Sequence, residues 1–242
     1  MTLRALIFDV DGTLAETEVV HRIAYNIAFA EAGLDWYWTK DAFIKILRNA
    51  GAKEQMRAYA KQVGTPLSEK EIISLHDCKM YTYRELLKES GRLQLREGVR
   101  DLISRARHKG LKIGIATASH RMNVESLCQA CWGKSADRIF NVVATGEEVQ
   151  AKKPSPDVYQ LALNRLAVHP DEAIAIEDSQ NGLRAGLDAG LRVLVTPSDF
   201  TRADDFSNAT WVRDNLALDT LPNALFEALK DEATPALAQM AR

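Results

Sequence analysis

Apolar residues change their rhythm twice along the chain. Ala5–Val10 is a short apolar run of strand formers that stops at a polar turn with Gly12, the mark of a buried strand. From about Thr17 to Leu93 the spacing turns helical and no buried strand is apparent. Glu18–Ala32 is one predicted helix, ended by Gly33, and Thr39–Asn49 is another with Thr39 as N-cap. Ser68 opens a third that runs to Glu89, with Glu71 three residues on completing a capping box. After Gly91 helices and strands alternate. Helices are predicted at Val99–His108, Asn123–Cys131, Pro156–Leu166, Asn181–Ala189 and Asn215–Leu229. Between them lie predicted strands at Lys112–Thr117, Ile139–Thr145, Ala173–Glu177, Arg192–Thr196 and Trp211–Val212. Ser155 reads as an N-cap with Pro156 at the first helical position. Such alternation implies a parallel sheet covered by helices on both faces. The helical stretch is inserted after the first strand, with hinges predicted near Ala15–Glu16 and Gly91–Leu95.

Composition narrows the class. The chain has 242 residues, 46% hydrophobic and 26% charged, with a net charge of −2. That length buries a core without disulfides or structural metal. The charge balance argues against a nucleic-acid partner. No apolar run reaches membrane-spanning length, and the N-terminus lacks the pattern of a secretory signal, so a cytoplasmic protein is expected. The three cysteines fit a reducing compartment. Cys128 and Cys131 form a C-x-x-C with no second ligand pair, and they read as structural residues on one helix face.

The chemistry gathers where a parallel sheet places ligands, beyond the carboxyl ends of its strands. The first strand ends in Asp9-Val10-Asp11-Gly12-Thr13 and the second in Thr117-Ala118-Ser119. Lys152-Lys153-Pro154 follows the third, and Glu177-Asp178-Ser179 ends the fourth. Taken singly, Asp11-Gly12 is an ordinary turn pair and Glu177-Asp178-Ser179 an ordinary helix N-cap. Together they put carboxylates from two strands, a hydroxyl and a lysine on one sheet edge. Crowded carboxylates need a cation, and oxygen-only hard ligands suit Mg2+. With a lysine facing the same anion, this is the outline of a phosphoryl-transfer site.

Asp9-Val10-Asp11-Gly12-Thr13 resembles the D-x-D-G-T signature of haloacid dehalogenase (HAD) superfamily phosphatases. Thr117, Lys153-Pro154 and Glu177-Asp178 match that superfamily's later motifs in order and rough spacing. The resemblance spans nearly the whole chain. Within the superfamily the chain is similar to the beta-phosphoglucomutase-like group and to its CbbY-type phosphatases, Calvin-cycle enzymes acting on xylulose 1,5-bisphosphate. Asp9 through Glu18 with His21, Asp35-Trp36-Tyr37-Trp38, Gly51-Ala52-Lys53-Glu54, Asn123-Val124-Glu125 with Cys128, and Lys152 through Asp157 carry that likeness. Two places depart from it: Glu97-Gly98 where Pro-Gly is common, and Ala118 and His120 in a loop usually richer in Ser and Thr.

The resemblance implies an α/β, HAD-like Rossmannoid core of residues 1–15 and 94–230, a helical C1 cap of residues 16–93, and a tail of residues 231–242. It implies that Asp9 attacks phosphorus to form an aspartyl-phosphate. Asp11 would protonate the leaving group and then activate water. Thr117 and Lys153 would hold the phosphoryl oxygens. Mg2+ would sit on Asp9, the Asp11 carbonyl and Asp178, with Glu177 on a coordinated water. Glu18, His21, Lys53, Lys79, Ala118, Ser119, His120 and Arg121 are the implied substrate contacts, the cations among them suiting a second phosphate. Trp36 and Trp38 read as anchors of the cap core. The expected partner is a small sugar phosphate, met by a monomer. A beta-phosphoglucomutase would share every core residue. A dehalogenase would lack Asp11, and a non-catalytic sugar-phosphate sensor would not need Asp9, Asp11, Lys153 and Asp178 intact.

Overall fold

The computed structural model describes residues 2–47, 51–89 and 93–230. Six strands form one parallel sheet in the order β3-β2-β1-β4-β5-β6. They are β1 (Ala5–Phe8), β2 (Lys112–Ala116), β3 (Val142–Ala144), β4 (Ala173–Glu177), β5 (Arg192–Val195) and β6 (Trp211–Val212). β1 lies at the centre, with Ala5–Phe8 buried throughout. Its side chains alternate between two apolar layers, as the two-residue period of a strand requires. Leu6 and Phe8 join Ile113 and Ile115 beneath α5 (Val99–His108), α6 (Arg121–Trp132) and α10 (Asn223–Leu229). Ala5 and Ile7 face α8 (Asp157–Leu166) and α9 (Gln180–Asp188) on the other side.

Among the described residues, four helices stand between β1 and α5: α1 (Glu18–Glu31), α2 (Lys40–Ile46), α3 (Ala52–Gln62) and α4 (Glu69–Lys88). A separate apolar cluster built on Tyr25, Phe29, Trp36, Trp38 and Phe43 holds them together. Trp38 is fully buried, 4.6 Å from Tyr25 and 4.8 Å from Phe29 between ring centroids. Trp36 packs edge-on against Phe29 at 5.4 Å. Both tryptophans thus anchor the helices rather than face solvent. The chain passes between sheet and helices at two adjacent points. Ala15 pairs with Leu95 in an isolated antiparallel bridge, and Arg96 N donates to Leu14 O at 2.8 Å. The Arg96 guanidinium then bonds the carbonyls of Gly12, Thr196 and Pro197 and pairs with Glu16.

Several boundaries differ from the sequence reading. α3 was not anticipated, because it is mostly polar and buries only Gln55, Met56 and Ala60. The strand expected at Ile139–Thr145 pairs only over Val142–Ala144. The short helix α7 (Ala136–Ile139) takes its start. Pro156 is itself the N-cap of α8, while the Ser155 hydroxyl donates to Asp157. α10 begins only after Pro222, since Asn215 and Thr220 bond one another in a turn instead. Ser68 and Glu71 do form the capping box. Gly91, the end of the helix expected at Thr39–Asn49, and the tail 231–242 lie outside the described residues. No described helix is long and apolar enough to cross a membrane.

Candidate active site

The carboxyl ends of β1, β2 and β4 open into a cavity of about 850 Å³ roofed by α1–α4. Asp9, Asp11, Thr117, Lys153 and Asp178 meet in it. Asp9 leaves β1 with its N–H donating to Ile176 O at 2.9 Å, which ties it to the end of β4. Gly12 then turns the chain with φ +80, and a Cβ there would collide with the Asp178 carboxylate. Only glycine satisfies both conditions.

Lys153 binds the two halves of the site. Its ammonium donates to Asp9 Oδ1 at 2.7 Å and to Glu177 Oε1 at 2.5 Å, and the Tyr159 hydroxyl donates to the same Glu177 oxygen at 2.6 Å. Burial opposes its charge, yet Asp9 and Glu177 hold its pKa above the usual lysine range. Thr117 is buried, its hydroxyl accepting from Ser119 N at 3.1 Å.

Asp9, Glu177 and Asp178 are all buried, with one ligand oxygen from each within 4.8 Å of the others. Burial first, then its carboxylate neighbours, pushes Asp9 up to about 7 despite Lys153. Burial and the charges of Asp9 and Glu177 raise Asp178 well above the usual range. Fully ionised, three buried carboxylates would carry more negative charge than one ammonium neutralises, and without a further cation, burial resists that ionisation. That donor set, all oxygen and carboxylate-rich, fits a hard divalent cation such as Mg2+. Glu177 lies beneath the cavity floor and reaches it through Lys153.

Asp11 is treated differently. Its Oδ1 accepts from Thr17 Oγ1 at 2.6 Å and from His21 Nε2 at 3.2 Å, and its Oδ2 accepts from the Ser119 hydroxyl. Burial opposes ionisation, but these donors outweigh it and hold the carboxyl well below its usual range. Lys79 Nζ donates to His21 Nδ1 at 2.9 Å, which fixes the tautomer with a proton on Nε2 facing Asp11. Burial and the Lys79 charge keep His21 neutral by lowering its pKa. His21 also stacks on Tyr83 with ring centroids 4.0 Å apart. Lys79 is itself buried, its ammonium 4.8 Å from the Tyr25 ring centroid, and burial lowers its pKa to about 8. Glu18, half-buried at the base of α1, is pushed up to about 8 by desolvation and then by the Asp11 charge.

Glu18, His21, Lys53, Lys79, Ala118, Ser119 and His120 all reach this cavity. Arg121 does not. Its guanidinium is drawn outward to Asp137 at 2.7 Å and Glu125 at 3.4 Å. His120 caps α6 through Nδ1 and pairs with Glu147, another cavity residue. Sequence reasoning overlooked Thr17, Tyr159, Ser198 and Thr201. Of these Thr17 alone stood inside a quoted motif. The others act on site carboxylates from distant segments, and nothing in their local sequence marks them.

The description "Haloacid dehalogenase-like hydrolase" matches residues 6–196 of the chain. A protein named CbbY from Rhodobacter capsulatus is 50% identical over 211 residues, covering 87% of this chain and 92% of that protein. The crystal structure of CbbY from Rhodobacter sphaeroides, in an Asp-to-Asn variant with xylulose-(1,5)bisphosphate, superposes with a TM-score of 0.86 at 42% identity. It covers 89% of this chain and 96% of that one. A beta-phosphoglucomutase from Clostridium difficile shares the fold, with a TM-score of 0.74 at 21% identity over 89% of this chain and 92% of its own.

Proposed function

The chain belongs to the haloacid dehalogenase-like hydrolases, in which it is a sugar-phosphate phosphatase, and from that premise we propose that it is a Mg2+-dependent phosphatase of a small sugar bisphosphate such as xylulose 1,5-bisphosphate. The observation that carries the reading is Asp9, held by Lys153 beside two further buried carboxylates at the floor of a cavity large enough for a sugar bisphosphate.

The Asp9 carboxylate attacks phosphorus, the P–O bond to the sugar breaks, and Asp11 gives the departing oxygen its proton. The sugar leaves and an aspartyl-phosphate remains. Asp11 then takes a proton from water as that water attacks the same phosphorus, releasing inorganic phosphate and restoring Asp9. The three donors on Asp11 suit this second role directly. For the first, His21 passes its Nε2 proton to Asp11 as Lys79 passes one to Nδ1, which leaves His21 neutral and Lys79 as the amine; in later turnovers Asp11 keeps the proton it takes from water. Thr117 and Lys153 hold the phosphoryl oxygens. A bound cation supplies charge screening between Asp9 and the incoming phosphoryl group, and Asp9, Asp178 and the Asp11 carbonyl would hold it.

Specificity falls to the helical segment, read as a cap, because the sheet-side residues recognise only a phosphoryl group. Lys53 and Lys79 on the helices, with His120 on the sheet side, line the cavity and are the cations for a distal phosphate; Arg121 does not line it and is turned outward to Asp137. The reading places the enzyme in the cytoplasm, as a monomer.

The test is phosphate release from xylulose 1,5-bisphosphate with Mg2+. Asp9→Asn keeps the fold but removes the nucleophile, so turnover drops below about 1% of wild type. Substantial turnover by that variant overturns the assignment of Asp9. Formation of glucose 6-phosphate from beta-glucose 1-phosphate, with little phosphate released, replaces the phosphatase by a mutase.

A further inference from the structure

The turn after β5 touches both the carboxylate cluster and the helical segment. Thr201 Oγ1 donates to the main-chain carbonyl of Asp178 at 2.6 Å and lies 3.3 Å from Asp178 Oδ2. It accepts from Ser198 N at 2.9 Å, which closes the turn on itself. The neighbouring residue points the opposite way. Phe200 is buried, its ring edge-on to Phe43 of α2 at 6.0 Å between centroids, with the Lys40 ammonium 5.1 Å from its centroid. The other buried members of that aromatic cluster all come from residues 25–75. One residue earlier, Asp199 N donates to Glu16 Oε2 at 3.4 Å, beside the crossing to the helices.

We propose that residues 198–201 couple cation binding at Asp178 to the seating of α1–α4 over the cavity, with Thr201 and Phe200 as positioning residues at the two ends of the coupling. Adjacent residues in a hydrogen-bonded turn cannot move independently. A change in how Asp178 is held is therefore transmitted through Thr201 to the Phe200 ring, and from there to Phe43. Conversely, a displaced α2 pulls on the carbonyl and carboxylate of Asp178. The inference rests on the reading that Asp178 is a cation ligand, but it reaches residues on the cavity wall to which the proposed chemistry gives no role. It gives the coupling energy a physical path through discrete contacts, which is what linkage between two sites requires.

The experiment measures Mg2+ affinity by calorimetry, and deuterium uptake of α2 with and without Mg2+, in the full chain without substrate. Wild type binds Mg2+, and binding slows exchange in α2. Phe200→Ala is expected to bind Mg2+ within about threefold of wild type while losing the Mg2+-dependent part of that protection. Phe200→Leu, which keeps an apolar contact with Phe43, restores most of it. Thr201→Val loses the hydroxyl, so Mg2+ affinity drops severalfold, and Thr201→Ser recovers it. Three results overturn the proposal: no effect of Mg2+ on wild-type α2, an unchanged Mg2+ effect in Phe200→Ala, or a Phe200→Ala loss equal with and without Mg2+, which makes Phe200 a packing residue alone. Failure of wild type to bind Mg2+ at all overturns the cation reading, and the coupling with it.

Discussion

Lys79 should be a residue that the fold would be more stable without. Its ammonium is buried between α4, which carries it, and α1, and burial lowers its pKa from 10.5 to about 8 even though Asp11 and Glu18 attract it. In the unfolded chain the same group titrates near 10.5. Between those values the native state binds fewer protons than the unfolded state, so stability rises with pH across the window from about 8 to 10.5. Below pH 8 both states are charged and the full cost of burying the charge is felt. A difference of that size corresponds to about 3 kcal/mol at 1.36 kcal/mol per pH unit. Lys79→Met keeps the aliphatic stem and discards the charge. It also loses the hydrogen bond to His21 and the stacking of the ammonium on Tyr25, each a modest contribution. The variant should therefore be more stable than wild type at pH 7 by about 1–3 kcal/mol, with the gap closing towards pH 10.5. Urea unfolding of both proteins at pH 7 and pH 10 by linear extrapolation reads the difference directly. The same variant should turn over a sugar bisphosphate poorly, a stability cost retained for function. A variant less stable than wild type at pH 7, or a gap that does not change with pH, refutes the reasoning.

Lys53→Ala should lose about one to two decades in kcat/KM on a sugar bisphosphate through loss of a charge-assisted contact. Turnover of p-nitrophenyl phosphate, too short to reach that lysine, should stay near wild type; equal loss on both substrates would move the distal phosphate to other residues. Chelation with EDTA should silence the enzyme and Mg2+ should restore it, whereas Ca2+, with its looser and higher coordination, should support little turnover; full activity in Ca2+ counts against the proposed site. Cys128 is fully buried, and burial pushes its thiol up to about 12. It should therefore resist iodoacetamide at pH 8 in the native protein and react once urea unfolds it, as mass spectrometry of the labelled peptides would show.

Much of the site was legible because its residues sit at the ends of short apolar runs. Asp9, Thr117 and Glu177-Asp178 each follow a strand whose pattern is plain, and a parallel sheet brings such ends together whatever their separation in sequence. Lys153 was legible for the same reason, lying in the connection after β3. What the pattern could not show was who holds whom. Tyr159 reads as a core aromatic of α8, and only the packing of α8 on the sheet brings its hydroxyl to Glu177. Thr201 lies in a loop without hydrophobic period, so its bond to Asp178 has no local signature. Arg121 failed the other way. A cation beside a site motif reads as a phosphate ligand, but helix α6 turns it towards Asp137 and Glu125. α3 escaped notice because its helicity rests on one apolar stripe of Met56 and Ala60, too narrow to raise a periodic signal.

The position of β1 has a consequence for how the chain is made. Of the strands in this sheet it is the first to be synthesised, and it ends as one of the two central strands, yet neither neighbour is nearby in sequence. Ala5 pairs with Lys112 on one side and with Ala173 on the other. During synthesis the run Ala5–Phe8 must wait, with both hydrogen-bonding edges open, until β2 and then β4 have emerged. The aromatic cluster of α1–α4 is assembled from contiguous sequence and can form in that interval. Such distant pairing makes folding slow and leaves an apolar strand exposed to chaperones or to other nascent chains for most of translation.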